Sequence, residues 1–167
     1  MVLFLPILQL IIIILLTLAH LFLPGLLLGY STITSHFGPR KSPTTGRQSY
    51  HYGLDIGAPT GSNIVAIFSG QVTFTGFSGA NGFTVTITNG NICASYSHVS
   101  PTFLLYKGQY VNQGEIIAIV GPKNVYGVPN NPYKDSNGNP TNGSTTGPHL
   151  HLSIKKDGKA VNPLNYF

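Results

Sequence analysis

Residues 83–98 read Phe83-Thr84-Val85-Thr86-Ile87-Thr88-Asn89-Gly90-Asn91-Ile92-Cys93-Ala94-Ser95-Tyr96-Ser97-His98. Apolar and polar residues alternate over 83–88, which is the period of a half-buried strand. Asn89-Gly90-Asn91 then supplies the residues that a tight hairpin turn demands. A second run follows at 92–98. The spacing predicts an antiparallel hairpin whose return strand ends on a histidine.

The same pattern extends outward on both sides. Short apolar runs bounded by Gly, Asn and Pro recur at 64–68, 71–77, 114–120 and 150–155, each reading as a strand. The first two are expected to join at Ser69-Gly70. Beyond residue 29 no stretch carries a 3.6-residue apolar stripe. The fold expected is mainly β and antiparallel. Residues 122–148 stand apart: they are rich in Asn, Gly and Pro and carry no strand signal. Unstructured loops beyond about 12–15 residues are usually functional or disordered. Its residues 122–146 are expected to form one wall of a binding groove and to tune its choice of peptide.

Composition narrows the chemistry. Of 167 residues only 8% are charged, against about 25% in an ordinary soluble domain. With one Cys, 20 Gly and 12 Pro, a disulfide-stapled mini-protein and a coiled coil are excluded. The acids are Asp55, Asp135, Asp157 and Glu115, so any carboxylate chemistry must draw on these. Cys93 lies in an apolar strand context and is expected in the core.

Charge is also unevenly spread. Residues 1–29 hold no Asp, Glu, Lys or Arg, and their centre reads Leu10-Ile11-Ile12-Ile13-Ile14-Leu15-Leu16. About 20 apolar residues span a bilayer as a helix. Neither a basic leader nor a small-residue cleavage site marks the stretch as a signal peptide. The expectation is one N-terminal hydrophobic helix acting as a membrane anchor, with a cleaved signal segment as the alternative. Arg40, Lys41 and Arg47 follow it, which by the positive-inside rule would put the C-terminal part in the cytoplasm, but they lie more than ten positions away and are expected to belong to the folded domain. All formal charge falls after residue 29 and sums to +5, which suits an anionic surface. The basic residues are scattered, so nucleic acid is not an expected partner.

Two histidine motifs carry the chemistry. In His51-Tyr52-Gly53-Leu54-Asp55 a His and an Asp stand four apart. In an extended segment they share one face, with Gly53 between them leaving room for an ion. In His149-Leu150-His151, both imidazoles leave the same side of a strand while Leu150 enters the core. His98 is the third element. A His/Asp/His set suits catalytic zinc, which takes three protein ligands and keeps one position open. Such an ion acidifies water and polarises a carbonyl. A base is still required. Glu115 lies in a turn away from these motifs, so an imidazole is the better candidate.

Several ordered motifs resemble those of the lysostaphin-type, LytM-like zinc endopeptidases of bacterial peptidoglycan. Ser35-His36-Phe37-Gly38-Pro39-Arg40 is similar to that family's first strand. His51-Tyr52-Gly53-Leu54-Asp55 is similar to its HxGxD box, and Tyr96-Ser97-His98-Val99 to its YxHL box. Thr146-Gly147-Pro148-His149-Leu150-His151 is similar to its terminal HxH box, and Val161-Asn162-Pro163-Leu164 is also family-like.

The resemblance implies a small antiparallel β-sandwich of the duplicated hybrid motif type over residues 30–167. It implies His51, Asp55 and His151 as ligands of one Zn2+ ion. It implies His149 and His98 as general base and transition-state stabiliser, with Tyr96 or a loop tyrosine as a further oxyanion donor. The function implied is hydrolysis of peptide bonds in peptidoglycan stem peptides or cross-bridges, by a monomeric catalytic domain held outside the cytoplasm at the cell envelope. A non-catalytic wall-binding or hydrolase-activating module is the alternative from another class. A wall-penetrating component of a phage or conjugation machine would share the chemistry in another setting.

Overall fold

The structure, a computed structural model, describes residues 29–166. Twelve strands are present among them: β1 Ile33–Ser35, β2 Gly38–Lys41, β3 Gln48–His51, β4 Leu54–Gly57, β5 Asn63–Val65, β6 Gly70–Phe77, β7 Phe83–Asn89, β8 Ile92–Ser97, β9 Tyr110–Val111, β10 Ile116–Ile119, β11 His149–Lys156 and β12 Lys159–Val161. The main sheet runs β1-β4-β11-β8-β7-β6-β9, with β12 also pairing β11. Every strand pair is antiparallel. The hairpin read from residues 83–98 is there as β7 and β8, with Asn89 opposite Ile92 and Gly90 at φ +58°.

One face of the main sheet is the core. Val72, Val85, Ile87, Ala94, Tyr96, Leu150, Leu152 and Ile154 are fully buried on it. The pair β5–β10 lies over that face and adds Ile64, Ile117 and Ala118. Each fully buried Leu, Ile or Val contributes about 1.5–3 kcal/mol. The alternation Leu150, Leu152, Ile154 therefore seats β11 at the centre of the sheet and turns His149 and His151 to the opposite face. Tyr96 ties the layers together: its hydroxyl accepts from the Ile67 N–H at 3.0 Å.

Several expectations change. The run at 64–68 forms no hairpin with β6, because β5 pairs with β10 instead. Cys93 is half-buried rather than in the core: Ala94 and Tyr96 point inward, so Cys93 and Ser95 face the other way. Strands β1 to β4, β9 and β12 add to the set expected from apolar runs; each has four residues or fewer. The expected N-terminal helix falls outside the described residues. Among those residues, helical structure consists of two short 3-10 turns, Gly79–Asn81 and Pro163–Tyr166, and no helix is long and apolar enough to cross a membrane.

Candidate metal centre

Sheet register assembles the first part of the site. Asp55 on β4 sits directly opposite His151 on β11, which in turn sits opposite Ser97 on β8. His51 closes β3, which belongs to a separate two-stranded sheet with β2. His51 and Asp55 are therefore not on one straight strand. Four residues of extended chain would separate their Cα atoms by about 13 Å. The break at Tyr52-Gly53 folds them together, so that His51 Nε2 and Asp55 Oδ1 are 3.2 Å apart. Gly53 also differs from its expected role. A Cβ there would stand 2.6 Å from the Leu152 carbonyl oxygen and from His151 Nε2, so the glycine makes room for the His151 ring.

Three donor atoms converge. His151 Nδ1 lies 2.8 Å from Asp55 Oδ1 and 3.0 Å from His51 Nε2. The His51 tautomer follows from its other nitrogen, since Nδ1 donates to the His36 carbonyl at 2.8 Å. Nε2 then carries a lone pair. A lone pair on His51 and a carboxylate oxygen on Asp55 thus face each other at 3.2 Å, which is repulsive without a cation between them. Tetrahedral zinc with bonds of about 2.0–2.1 Å separates its ligand atoms by about 3.3 Å. The triangle is close to that size, and its N/N/O chemistry suits zinc.

Asp55 is held as a carboxylate. Burial alone would raise its pKa, but the hydrogen bond from His151 Nδ1 works against this, and the carboxyl is kept well below the usual range. Its second oxygen is taken by Arg40, whose Nη1 donates to Oδ2 at 3.0 Å and also to the Ser35 hydroxyl. Arg40 thereby leaves Oδ1 as the carboxylate atom that faces the two imidazoles.

Two further imidazoles adjoin the triangle. His149 Nε2 is 3.7 Å from Asp55 Oδ1, and its ring centroid is 4.7 Å from that of His98. His149 Nδ1 donates to the Gly147 carbonyl at 2.9 Å, and His98 Nδ1 to the Asn142 carbonyl at 2.7 Å. Both rings therefore carry their lone pair on Nε2. Burial pushes the His98 pKa down to about 3, and the neighbouring His149 adds to the shift. Burial also lowers His149, against the Gly147 carbonyl and the Asp55 charge that raise it. Both are neutral near pH 7. Asp55, His98, His149 and His151 open on a groove of about 670 Å³, and His51 lies buried beneath its floor. Arg40, Lys41, Tyr50, Tyr52, Ala80, Asn81 and residues 144–148 also line it.

The family model of Peptidase family M23 matches residues 49–163. The chain belongs to Peptidase family M23. It is 33% identical over 137 residues to the DD-carboxypeptidase/endopeptidase Mpg of Neisseria meningitidis, covering 81% of this chain and 27% of that protein. It is 31% identical over 134 residues to the peptidoglycan DD-endopeptidase ShyA of Vibrio cholerae, covering 79% and 26%. Among solved structures, a zinc-containing peptidase from Vibrio cholerae superposes with a TM-score of 0.62 at 30% identity, over 80% of this chain and 36% of that one. The chain thus spans about a quarter of the length of these curated relatives.

Some expectations for the M23 site fail on position. Tyr96 cannot reach the groove, because its hydroxyl is engaged by Ile67 in the core. Glu115 accepts from the Asn112 N–H at 2.9 Å and holds its own turn, as expected. Residues 122–143 do not line the groove; the wall is made by residues 144–148. Other contributors escape a reading of motifs. Arg40, Ser35 and the His36 carbonyl all come from β1, β2 and their turn, where the sequence resemblance points only to a first strand. A salt bridge and a carbonyl acceptor leave no periodic trace in sequence, so no signal points to them.

Proposed function

We propose that this chain is a zinc endopeptidase that hydrolyses peptide bonds in peptidoglycan stem peptides or cross-bridges. The observation that carries the reading is the triangle of His51 Nε2, Asp55 Oδ1 and His151 Nδ1 beside two imidazoles whose Nε2 atoms are unprotonated. The names of the M23 relatives support the substrate class. One zinc ion would be held by His51, Asp55 and His151. When bound, it supplies an acidified water and a polarised carbonyl.

The chain's own residues do the rest. His149 is the general base: of the two remaining imidazoles it is the one within 3.7 Å of the Asp55 carboxylate, which stabilises an imidazolium there. It takes the proton at Nε2 and returns it to the leaving amine. His98 presents a second Nε2 acceptor at 4.7 Å between ring centroids. Neither ring can donate a hydrogen bond from Nε2 before a proton has arrived, so transition-state stabilisation by the pair follows proton capture. The groove between Tyr52 and residues 144–148 receives the peptide in extended form. On this reading the antiparallel layers form a small β-sandwich of the duplicated hybrid motif type. On this reading the domain works at the bacterial cell envelope, with residues 1–29 as its membrane attachment, supported by their charge-free apolar composition.

The test is direct. Zinc-loaded protein is incubated with purified peptidoglycans of two cross-link types, and products are read by mass spectrometry beside a His149→Ala control. New amine and carboxyl ends that vanish in the control are expected. Intact walls of both types, despite one tightly bound zinc, would overturn the reading.

A further inference from the structure

The segment between β10 and β11 is extensively hydrogen-bonded, yet most of it stays out of the groove. Asp135 gathers it: Oδ1 accepts from the N–H groups of Asn137 and Asn139 at 3.0 and 2.9 Å, and Oδ2 accepts from Asn124 Nδ2 at 3.1 Å. Asn124 and Thr141 form an antiparallel bridge, and the Val125 N–H donates to the Pro140 carbonyl at 3.0 Å. The outcome of this bonding is the placement of one residue, Asn142.

Asn142 is completely buried, and its side-chain and main-chain polar groups all have partners. Its N–H donates to the Lys123 carbonyl at 2.8 Å. Its side-chain Oδ1 accepts from the Phe83 N–H, where β7 begins, at 2.8 Å. Its Nδ2 donates to the Val99 carbonyl, just past the end of β8, at 2.9 Å. Its own carbonyl accepts from His98 Nδ1 at 2.7 Å. The backbone closes tightly around it, since a Cβ at Gly82 or Gly121 would collide with the Asn142 side chain.

His98 needs such a frame. It has φ +60°, a region that is strained for a residue with a side chain and persists only where the surroundings enforce it. Its N–H is held by the Asn81 carbonyl at 3.0 Å and its carbonyl by the Gly121 N–H at 2.9 Å. Those two bonds fix the backbone and leave the ring free to present either nitrogen. Only the carbonyl of Asn142 decides which one carries the proton.

We propose that Asn142 is a positioning residue for His98: bolted to β7 and β8 by its amide, it aims its main-chain carbonyl at His98 Nδ1 and so makes Nε2 the proton acceptor that faces the groove. The segment 122–143 is on this account a buttress behind a catalytic imidazole, and its effect on turnover rests on the peptidase reading given above. Its effect on the tautomer does not.

The experiment uses the full-length chain with histidine ring nitrogens labelled. Long-range 15N spectra report the His98 tautomer, assigned by its loss in His98→Gln. In the unmutated protein His98 is expected as the Nδ1–H form. Asn142→Ala is expected to mix the two forms and to lower kcat on cross-linked muropeptides at least about tenfold, part of the roughly 10²–10⁴ that positioned acid–base groups contribute, with KM and zinc content unchanged. Asn142→Asp, which keeps the acceptor for Phe83, is expected to fall between. An Nε2–H form of His98 in the unmutated protein overturns the proposal without any variant. So does an Asn142→Ala protein that keeps both tautomer and kcat. If the unmutated protein cleaves nothing but shows the Nδ1–H form, it is the peptidase reading that fails, and the tautomer in Asn142→Ala still decides the role of Asn142.

Discussion

Asp55 and His151 face each other across a strand pair, whereas His98 and His149 are aimed by the carbonyl oxygens of loop residues 142 and 147. The two halves of the site are thus positioned by different means. In the first, ladder hydrogen bonds and core packing set the side chains, and register alone brings donor atoms to 2.8 Å. In the second, the tautomer as well as the position matters, and each ring needs its own acceptor. A sheet delivers a side chain to a point in space; it does not choose which nitrogen bears the proton.

Substitutions should separate the halves. His151→Ala removes a proposed ligand and is expected to abolish both stoichiometric zinc and hydrolysis. Loss of a partner one bond further out already costs about 10–100-fold, so the deficit should exceed that. Metal analysis and product assays check it together. His149→Ala should leave zinc in place and lower kcat by about 10²–10⁴-fold. Zinc lost in step with activity would mean that the two halves are not separable.

Arg40→Ala tests the support of the first half. Freed from Arg40, Asp55 is no longer held to a single facing oxygen, and metal affinity should fall by about 10–100-fold, measured by chelator competition. Wild-type affinity in that variant would reduce the 3.0 Å contact to a surface ion pair. Tyr96→Phe is the control in the core. It strands the buried Ile67 N–H and should cost about 1–3 kcal/mol in urea unfolding, with kcat unchanged. A loss of turnover there would revive the phenol as an oxyanion donor.

The last prediction is one of pH. In metal-free protein, the unfolded chain takes a proton on residue 98 near the ordinary 6.5, whereas folded His98 resists until about 3. The unfolded state therefore binds more protons in that window, and stability should fall as pH drops from about 6.5 toward 3. His149 pushes in the same direction. Urea midpoints between pH 7 and pH 4 should show a shallower slope in His98→Gln; equal slopes would mean that His98 is not buried as the neutral form.

Much of this molecule is legible without its structure. Alternation at 83–88 and the Asn-Gly turn locate the central hairpin, and the HxH spacing puts two imidazoles on one face of β11, because a strand's period of two is local and steric. The pairing of His51 with Asp55 is correct, but the shared strand expected to cause it is not: a break in the chain joins them at 3.2 Å. The groove wall expected from the whole of 122–146 shrinks to the end of that segment, since only its last residues reach the groove.

By itself the sequence determined the residue types of the site and the antiparallel β class, since these depend on composition and local periodicity, and its motifs resemble those of a zinc peptidase family. Only the tertiary structure decided that Arg40 occupies the second oxygen of Asp55, that Tyr96 turns into the core, and that Asn142 and Gly147 choose the protonated nitrogen of His98 and His149. Most of these contacts join a side chain to an atom far away along the chain. They depend on where the backbone returns in space, and nothing in the local pattern of residues records it.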